Sequence, residues 1–153
     1  MKAPFSWLRE YVDVRAGAAE VASRLAVSSL DVERVIEVGP PDVDGNLGRF
    51  LVGRVVEAGK HPNADRLQLC RVDVGEGEPR QIVCGAWNFG AGATVAVALP
   101  GALLPGAVEP LREAKLRGES SRGMILSARE LSLGDDHTGI LVLDPGPEPG
   151  TPL

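Results

Sequence analysis

Apolar residues recur at helical spacing near the start of the chain: Ala18, Val21, Ala22, Leu25 and Ala26 share one side of a 3.6-residue period, and Glu20 and Arg24 fall on the other. That pattern predicts one amphipathic helix. Just upstream, Phe5, Trp7, Leu8 and Tyr11 follow Pro4 and concentrate rings in a chain that is only 4% aromatic, so a local core is expected around them. Over residues 32–38 the period changes. Val32, Arg34, Ile36 and Val38 alternate, imperfectly, with Glu33, Val35 and Glu37, as in a short strand. Residues 1–38 therefore read as a small α+β segment.

Turn and breaker residues follow in Gly39, Pro40, Pro41 and Asp42, with Asp44, Gly45 and Asn46 just beyond, and they predict a linker over residues 39–47. The next region, 48–144, reads as short strands punctuated by glycine and proline, at 50–58, 67–74, 80–84, 94–99, 112–117, 124–127 and 140–143. Such regular spacing predicts a small closed sheet. Ser127 and Glu130 stand in capping-box relation and Gly134 is placed to end a turn, which predicts a short helix over one end of the barrel. The expected fold class is mainly β: an oligonucleotide-binding-type β-barrel with a short capping helix, preceded by the small α+β segment. Residues 145–153 hold Pro145, Gly146, Pro147, Pro149, Gly150 and Pro152 and read as an exit linker of a truncated piece.

Composition narrows the function classes. A chain of 153 residues accommodates one domain, or a small domain with an appendage, and is short for a multi-step enzyme. Hydrophobic residues at 44% and charged residues at 24% fit a globular protein rather than a disordered or membrane one. The longest apolar stretch, 91–104, is interrupted by Gly92, Thr94, Pro100 and Gly101, so a cytoplasmic protein is expected. Cys70 and Cys84 lack a CxxC pair or histidines at ligand spacing and read as buried reduced thiols. Asp135, Asp136 and His137 have no second histidine nearby and read as a turn whose aspartates accept backbone N–H bonds. No catalytic residue, metal site or cofactor is assigned to this segment. The net charge of -5 requires any RNA contact to come from a local basic patch, with weak affinity for the segment alone.

Two such patches are candidates. Lys60, His61, Asn63 and Arg66 fall on an expected inter-strand loop, where cations and amide donors reach phosphate oxygens. The competing reading is that Pro62 and Asn63 make the turn while Asp65 neutralises Arg66. Lys115, Arg117, Arg122 and Arg129 form the densest basic cluster, with Ser121 among them and Gly118 and Gly123 permitting close approach. Glu113, Glu119 and Glu130 are interleaved, so as single residues these read as ordinary mixed surface, and only as a set as a phosphate-tracking stripe. Trp87 and Phe89 flank Asn88, which allows base stacking with Asn88 on a base edge, against the simpler reading of two packing rings.

The run Lys60, His61, Pro62, Asn63, Ala64, Asp65, Arg66, Leu67, followed by Asp73 to Glu76 and by Ile82, Val83, Cys84, Gly85, Ala86 and Asn88, resembles the tRNA-binding domain of bacterial phenylalanine-tRNA ligase β subunits, some methionine-tRNA ligases and free-standing tRNA-binding proteins. Residues 97–106, then Lys115 to Gly118, Ser121, Gly123, Met124, Ser127, Glu130, Leu131 and the run 134–141, are most similar to the phenylalanine enzyme's β subunit, as is the opening from Phe5 to Tyr11. The resemblance implies a holoenzyme of two α and two β subunits in which the α subunit uses ATP and Mg2+ to join phenylalanine to tRNA. It also implies a β chain several times longer, in which the barrel is inserted into a second small domain. The expected partners are phenylalanine-specific tRNA and the α subunit, with no membrane. Against this binding module stand two alternatives: an assembly element that barely touches RNA, and a free-standing tRNA-binding protein.

Overall fold

In the computed structural model residues 2–28, 30–143 and 145–153 are described. Met1, Ser29 and Asp144 lie outside them, and with Asp144 the expected end of the barrel region. The chain divides into two units, Met1–Glu37 and Val38–Leu153.

The first unit holds two helices, α1 (Phe5–Tyr11) and α2 (Ala18–Ser28). Pro4 sets the start of α1 without needing an N–H, and Val12 ends it in extended backbone. The helix predicted from Ala18 onward is α2, braced on its polar side by the Glu20–Arg24 ion pair. The expected aromatic core does not form. Trp7 meets Tyr11 edge-on at 5.3 Å, yet they are 49% and 73% exposed and neither helix buries a residue. Two short helices provide no second layer against which a ring could be buried. The strand expected at 32–38 is absent as well: the backbone there has no ladder partner, and Val35 and Ile36 are exposed.

The second unit is the barrel. Its strands are β1 (Phe50–His61), β2 (Ala64–Asp73), β3 (Arg80–Cys84), β4 (Thr94–Ala98), β5 (Ala114–Leu116), β6 (Glu119–Ser121) and β7 (Met124–Ile125). The antiparallel order is β3-β2-β1-β4-β7, with β5 and β6 as a separate ribbon. β1 serves two neighbours, pairing with β4 over Phe50 to Arg54 and with β2 from Arg54 to His61. Register breaks between Val55 and Glu57 and between Lys60 and His61 bend it, as curling a sheet requires. β6 and the residue after it close the ring on β3, where Arg122 N–H donates to the Gln81 carbonyl at 2.8 Å and Val83 N–H to Ser121 Oγ at 3.1 Å. The mainly-β, oligonucleotide-binding-type barrel expected from the strand spacing is the fold observed.

All five residues of β4 are buried, which accounts for the unbroken apolar run from Val95 to Ala98 behind Thr94. Val95 and Val97 face the barrel interior with Val55, Cys70, Val72, Ile82 and Ile125. Ala96 and Ala98 point outward into a second layer with Phe50, Ala102, Leu126 and Leu131. Asn46, in the expected linker, is built into that side of the molecule: Nδ2 donates to the Pro41 and Leu103 carbonyls, and Oδ1 accepts from Leu103 N–H at 2.7 Å. Asn46→Ala strands those backbone groups and is expected to lower unfolding free energy by about 1–3 kcal/mol in a urea titration.

Three local expectations are corrected. No helix forms after Ser127. The capping box is present, with Ser127 N–H to Glu130 Oε2 at 2.7 Å and Glu130 N–H to Ser127 Oγ at 3.3 Å. Ser132, at φ 55, ends the turn early as Ser132 N–H bonds to Arg129 O and Leu133 N–H to Ala128 O. A cap at each end leaves room for a single turn, and Gly134 is not its terminator. Residues 140–143 run extended but share only the Val95–Val142 bridge with the sheet. Residues 145–153 are more than a linker. Gly150 N–H bonds to Val52 O, Val52 N–H to Thr151 O and Leu153 N–H to Phe50 O, covering the stretch of β1 that β2 does not reach. Gly75 and Gly150 make this approach possible, because a Cβ on Gly75 would lie 2.9 Å from the Gly150 Cα.

Cys70 and Cys84 are buried and free. Burial first, and the neighbouring Cys84 second, push the Cys70 thiol from 9.0 up to about 12. Above the ordinary thiol value the unfolded chain releases this proton while the folded chain keeps it. The stability is therefore whole below pH 9.0 and falls as pH rises toward about 12. Urea midpoints are expected to drop as pH rises from about 9 toward about 12, with a shallower drop in Cys70→Ala.

Candidate nucleic-acid interface

The stretch from Lys60 to Arg66 is a tight β-hairpin rather than an open loop: His61 pairs with Ala64 and Pro62 and Asn63 form the turn. His61 is 1% exposed. Its Nδ1 accepts the Asn63 N–H at 3.1 Å, which leaves the ring hydrogen on Nε2, where it donates to the Leu116 carbonyl at 3.1 Å. Asn63 Nδ2 donates to the Arg117 carbonyl, also at 3.1 Å. The hairpin tip is thus bonded to the turn of the β5–β6 ribbon.

That turn has Arg117 at φ 51 and Gly118 at φ 98, the two positive values of a type I′ connection. Glycine takes its place without strain. Arginine in the left-handed region costs about 1–2 kcal/mol, which the two bonds from the hairpin help to offset. The ribbon lies along β3, where Gln81 Nε2 donates to Glu119 Oε2 and to the Ser120 carbonyl. Ser121 is buried, with Oγ accepting from Val83 N–H and donating to the Gly123 carbonyl. Strand alternation puts Leu116, Glu119 and Ser121 on one face and Lys115 and Ser120 on the other, with Arg117 in the connecting turn and Arg122 just after β6. Lys115, Arg117, Ser120 and Arg122 are exposed. Among the described residues Lys115, Arg117, Arg122 and Arg66 enter no ion pair, whereas Lys60 is bound to Asp65 at 2.6 Å. The Arg122 backbone is fixed by Gln81 and by Arg80, which donates to its carbonyl at 3.3 Å while paired with Glu76.

The nine residues singled out in the sequence therefore separate into two groups. Lys60, Arg66, Lys115, Arg117 and Arg122 present charge to solvent, and Lys60 shares its charge with Asp65 rather than Arg66 doing so. His61, Asn88 and Ser121 have their polar side-chain atoms on protein backbone, and Asn63 has its Nδ2 there. Asn88 binds Ile140 through both amide atoms, at 3.0 Å each. Phe89 packs against the barrel interior, while Trp87 stays 55% exposed, with its indole N–H on the Arg66 carbonyl at 3.4 Å. Arg129 sits in the turn after β7 and not on the ribbon. β6 escaped the sequence reading; the Arg-Gly pair between two short polar runs was the available signal for a hairpin there.

The 135–138 segment is a turn. Asp136 Oδ1 accepts from Thr138 N–H and Oγ1, and those bonds hold its carboxyl below the usual range. That contribution is present above the ordinary carboxylate value and is lost as pH falls through the lowered one. Among the described residues no three His, Cys, Asp or Glu side chains gather to hold a metal ion, and no helix is long and apolar enough to cross a membrane.

A protein family described as "Putative tRNA binding domain" matches residues 50–152. The chain is 45% identical over 153 residues to the phenylalanine-tRNA ligase beta subunit of Rhodospirillum rubrum, covering 100% of this chain and 18% of that one. It is 50% identical over 137 residues to the same subunit of Nitratidesulfovibrio vulgaris, covering 90% of this chain and 16% of that one. A solved MetRS-related protein from Pyrococcus horikoshii shares the fold at a TM-score of 0.50 and 20% identity, over 68% of this chain and 87% of that one. The chain spans less than a fifth of the length of these two ligase subunits.

Proposed function

The chain belongs to the tRNA-binding domain family, and from that premise we propose that it is the tRNA-contacting barrel of a phenylalanine-tRNA ligase β subunit. Its work is electrostatic and geometric. The observation that carries this reading is the β5–β6 ribbon, which has exposed Lys115 on β5, Arg117 in its turn and Arg122 just after β6, none with a carboxylate partner among the described residues. Cations free of internal partners on a fixed two-stranded ribbon release counterions when laid against a phosphate backbone. Arg66, on the adjoining hairpin, adds one more exposed cation, whereas Lys60 is held by Asp65. Bond making belongs to an α subunit that uses ATP and Mg2+ in a cytoplasmic assembly of two α and two β subunits, with phenylalanine-specific tRNA as the common substrate.

The net charge of -5 favours a second reading, in which the barrel shapes the assembly and touches RNA little. Titrating labelled tRNA at several salt concentrations separates the two. The contact reading predicts that log affinity falls linearly with log salt, and that about 2 to 3 of that slope is contributed by the ribbon cations. A slope that is the same with and without the barrel supports the assembly reading.

A further inference from the structure

The hairpin tip and the ribbon turn are far apart in sequence yet joined at two points, and both bonds end on backbone carbonyls, those of Leu116 and Arg117. β5 and β6 have three paired positions, too few for the ribbon to keep its shape alone. Arg117 holds a left-handed conformation that arginine does not choose unaided, at the turn between Lys115 on β5 and Ser120 on β6. Carbonyl anchoring fixes the backbone and leaves the guanidinium free. Pro62 has no N–H and forces a tight reversal, which brings the Asn63 N–H onto His61 Nδ1 and so selects the tautomer that donates to Leu116.

Resting on the reading that Arg117 touches phosphate, we infer that His61 and Asn63 are positioning residues, which hold the β5–β6 turn by its carbonyls and so present Arg117 to the polyanion without touching it themselves. Both His61 ring nitrogens and Asn63 Nδ2 are taken by protein partners, so these donors serve the turn rather than RNA. The consequence is specific: removing an uncharged amide lowers the electrostatic component of RNA binding.

The test measures tRNA affinity across salt for the full-length subunit in its native assembly, with Arg117→Ala, Asn63→Ala and the double variant, each checked for an intact melting transition. Arg117→Ala is expected to weaken binding about five- to tenfold at about 0.1 M salt and to make the salt slope shallower by about one. Asn63→Ala, which retains every cation, is expected to move affinity and slope in the same direction by at least about threefold, with the double variant no weaker than Arg117→Ala. Should Asn63→Ala lose its melting transition, His61→Gln is measured in its place, and a wild-type slope there overturns the positioning role. If Arg117→Ala binds like wild type, the phosphate-contact reading fails and the positioning role falls with it. If Arg117→Ala weakens binding while Asn63→Ala keeps the wild-type slope, or the two losses multiply, the contact stands and the positioning role is overturned.

Discussion

Replacing Lys115, Arg117 and Arg122 by glutamate weakens tRNA binding by about 100-fold or more at about 0.1 M salt and makes the salt slope shallower by about 3. Each neutralised phosphate contact contributes roughly 0.9 to the logarithmic slope, so three contacts multiply to a factor of several hundred between molar and decimolar salt. Reversal adds repulsion to that loss. The fold is expected to tolerate the change, because all three side chains are exposed and none is in an ion pair with a described residue. Surface substitutions of this kind shift stability by about 0.5 kcal/mol each. Circular dichroism melting beside the binding titration separates the two effects. Unchanged affinity with an intact fold would move the RNA contact off the ribbon.

The second large effect is on stability, and it comes from one missing methyl group. Gly53 lies buried on β1 between β2 and β4, and a Cβ there would sit 2.7 Å from both Val72 Cγ1 and Val97 Cγ2. These atoms belong to branched side chains on β2 and β4, the strands flanking β1, so neither can give way without moving the barrel wall. Gly53→Ala is expected to cost about 1–3 kcal/mol and to lower the melting temperature by roughly 3–10 °C. Val97→Ala removes one of the two obstructions at the price of a cavity. The double variant should therefore be more stable than the sum of the single losses allows, by about 0.5–3 kcal/mol of coupling.

What the sequence revealed and what it hid follow from the range of the interactions involved. β3 was legible at its full length because its residues sit between turn signals, and β4 to within one residue, whereas β1 runs on to His61 and β2 starts at Ala64, because the polar residues Lys60, Asn63, Asp65 and Arg66 hide the pairing at their hairpin. The single turn after Ser127 was not, since a capping box announces a start and the early stop at Ser132 is set by a left-handed serine that no propensity favours. The aromatic residues of α1 form no core, because concentration in sequence says nothing about whether a second layer exists. His61 and Asn63 stand beside Lys60 and Arg66 in sequence and looked like members of one cationic loop. Their partners lie 55 and 54 residues away, at a turn whose strands were too short to recognise, so their tie to the ribbon could not be seen locally.

The proposed contact lays tRNA against the Lys115–Ser120 face of the β5–β6 ribbon. A photoreactive amino acid placed at Ser120, which shares that face with Lys115, and at Leu133, in the turn near the layer outside β4, reads this directly. The expected result is a tRNA crosslink from position 120 that fades as salt is raised, and none from position 133. Crosslinks from 133 with none from 120 would contradict it.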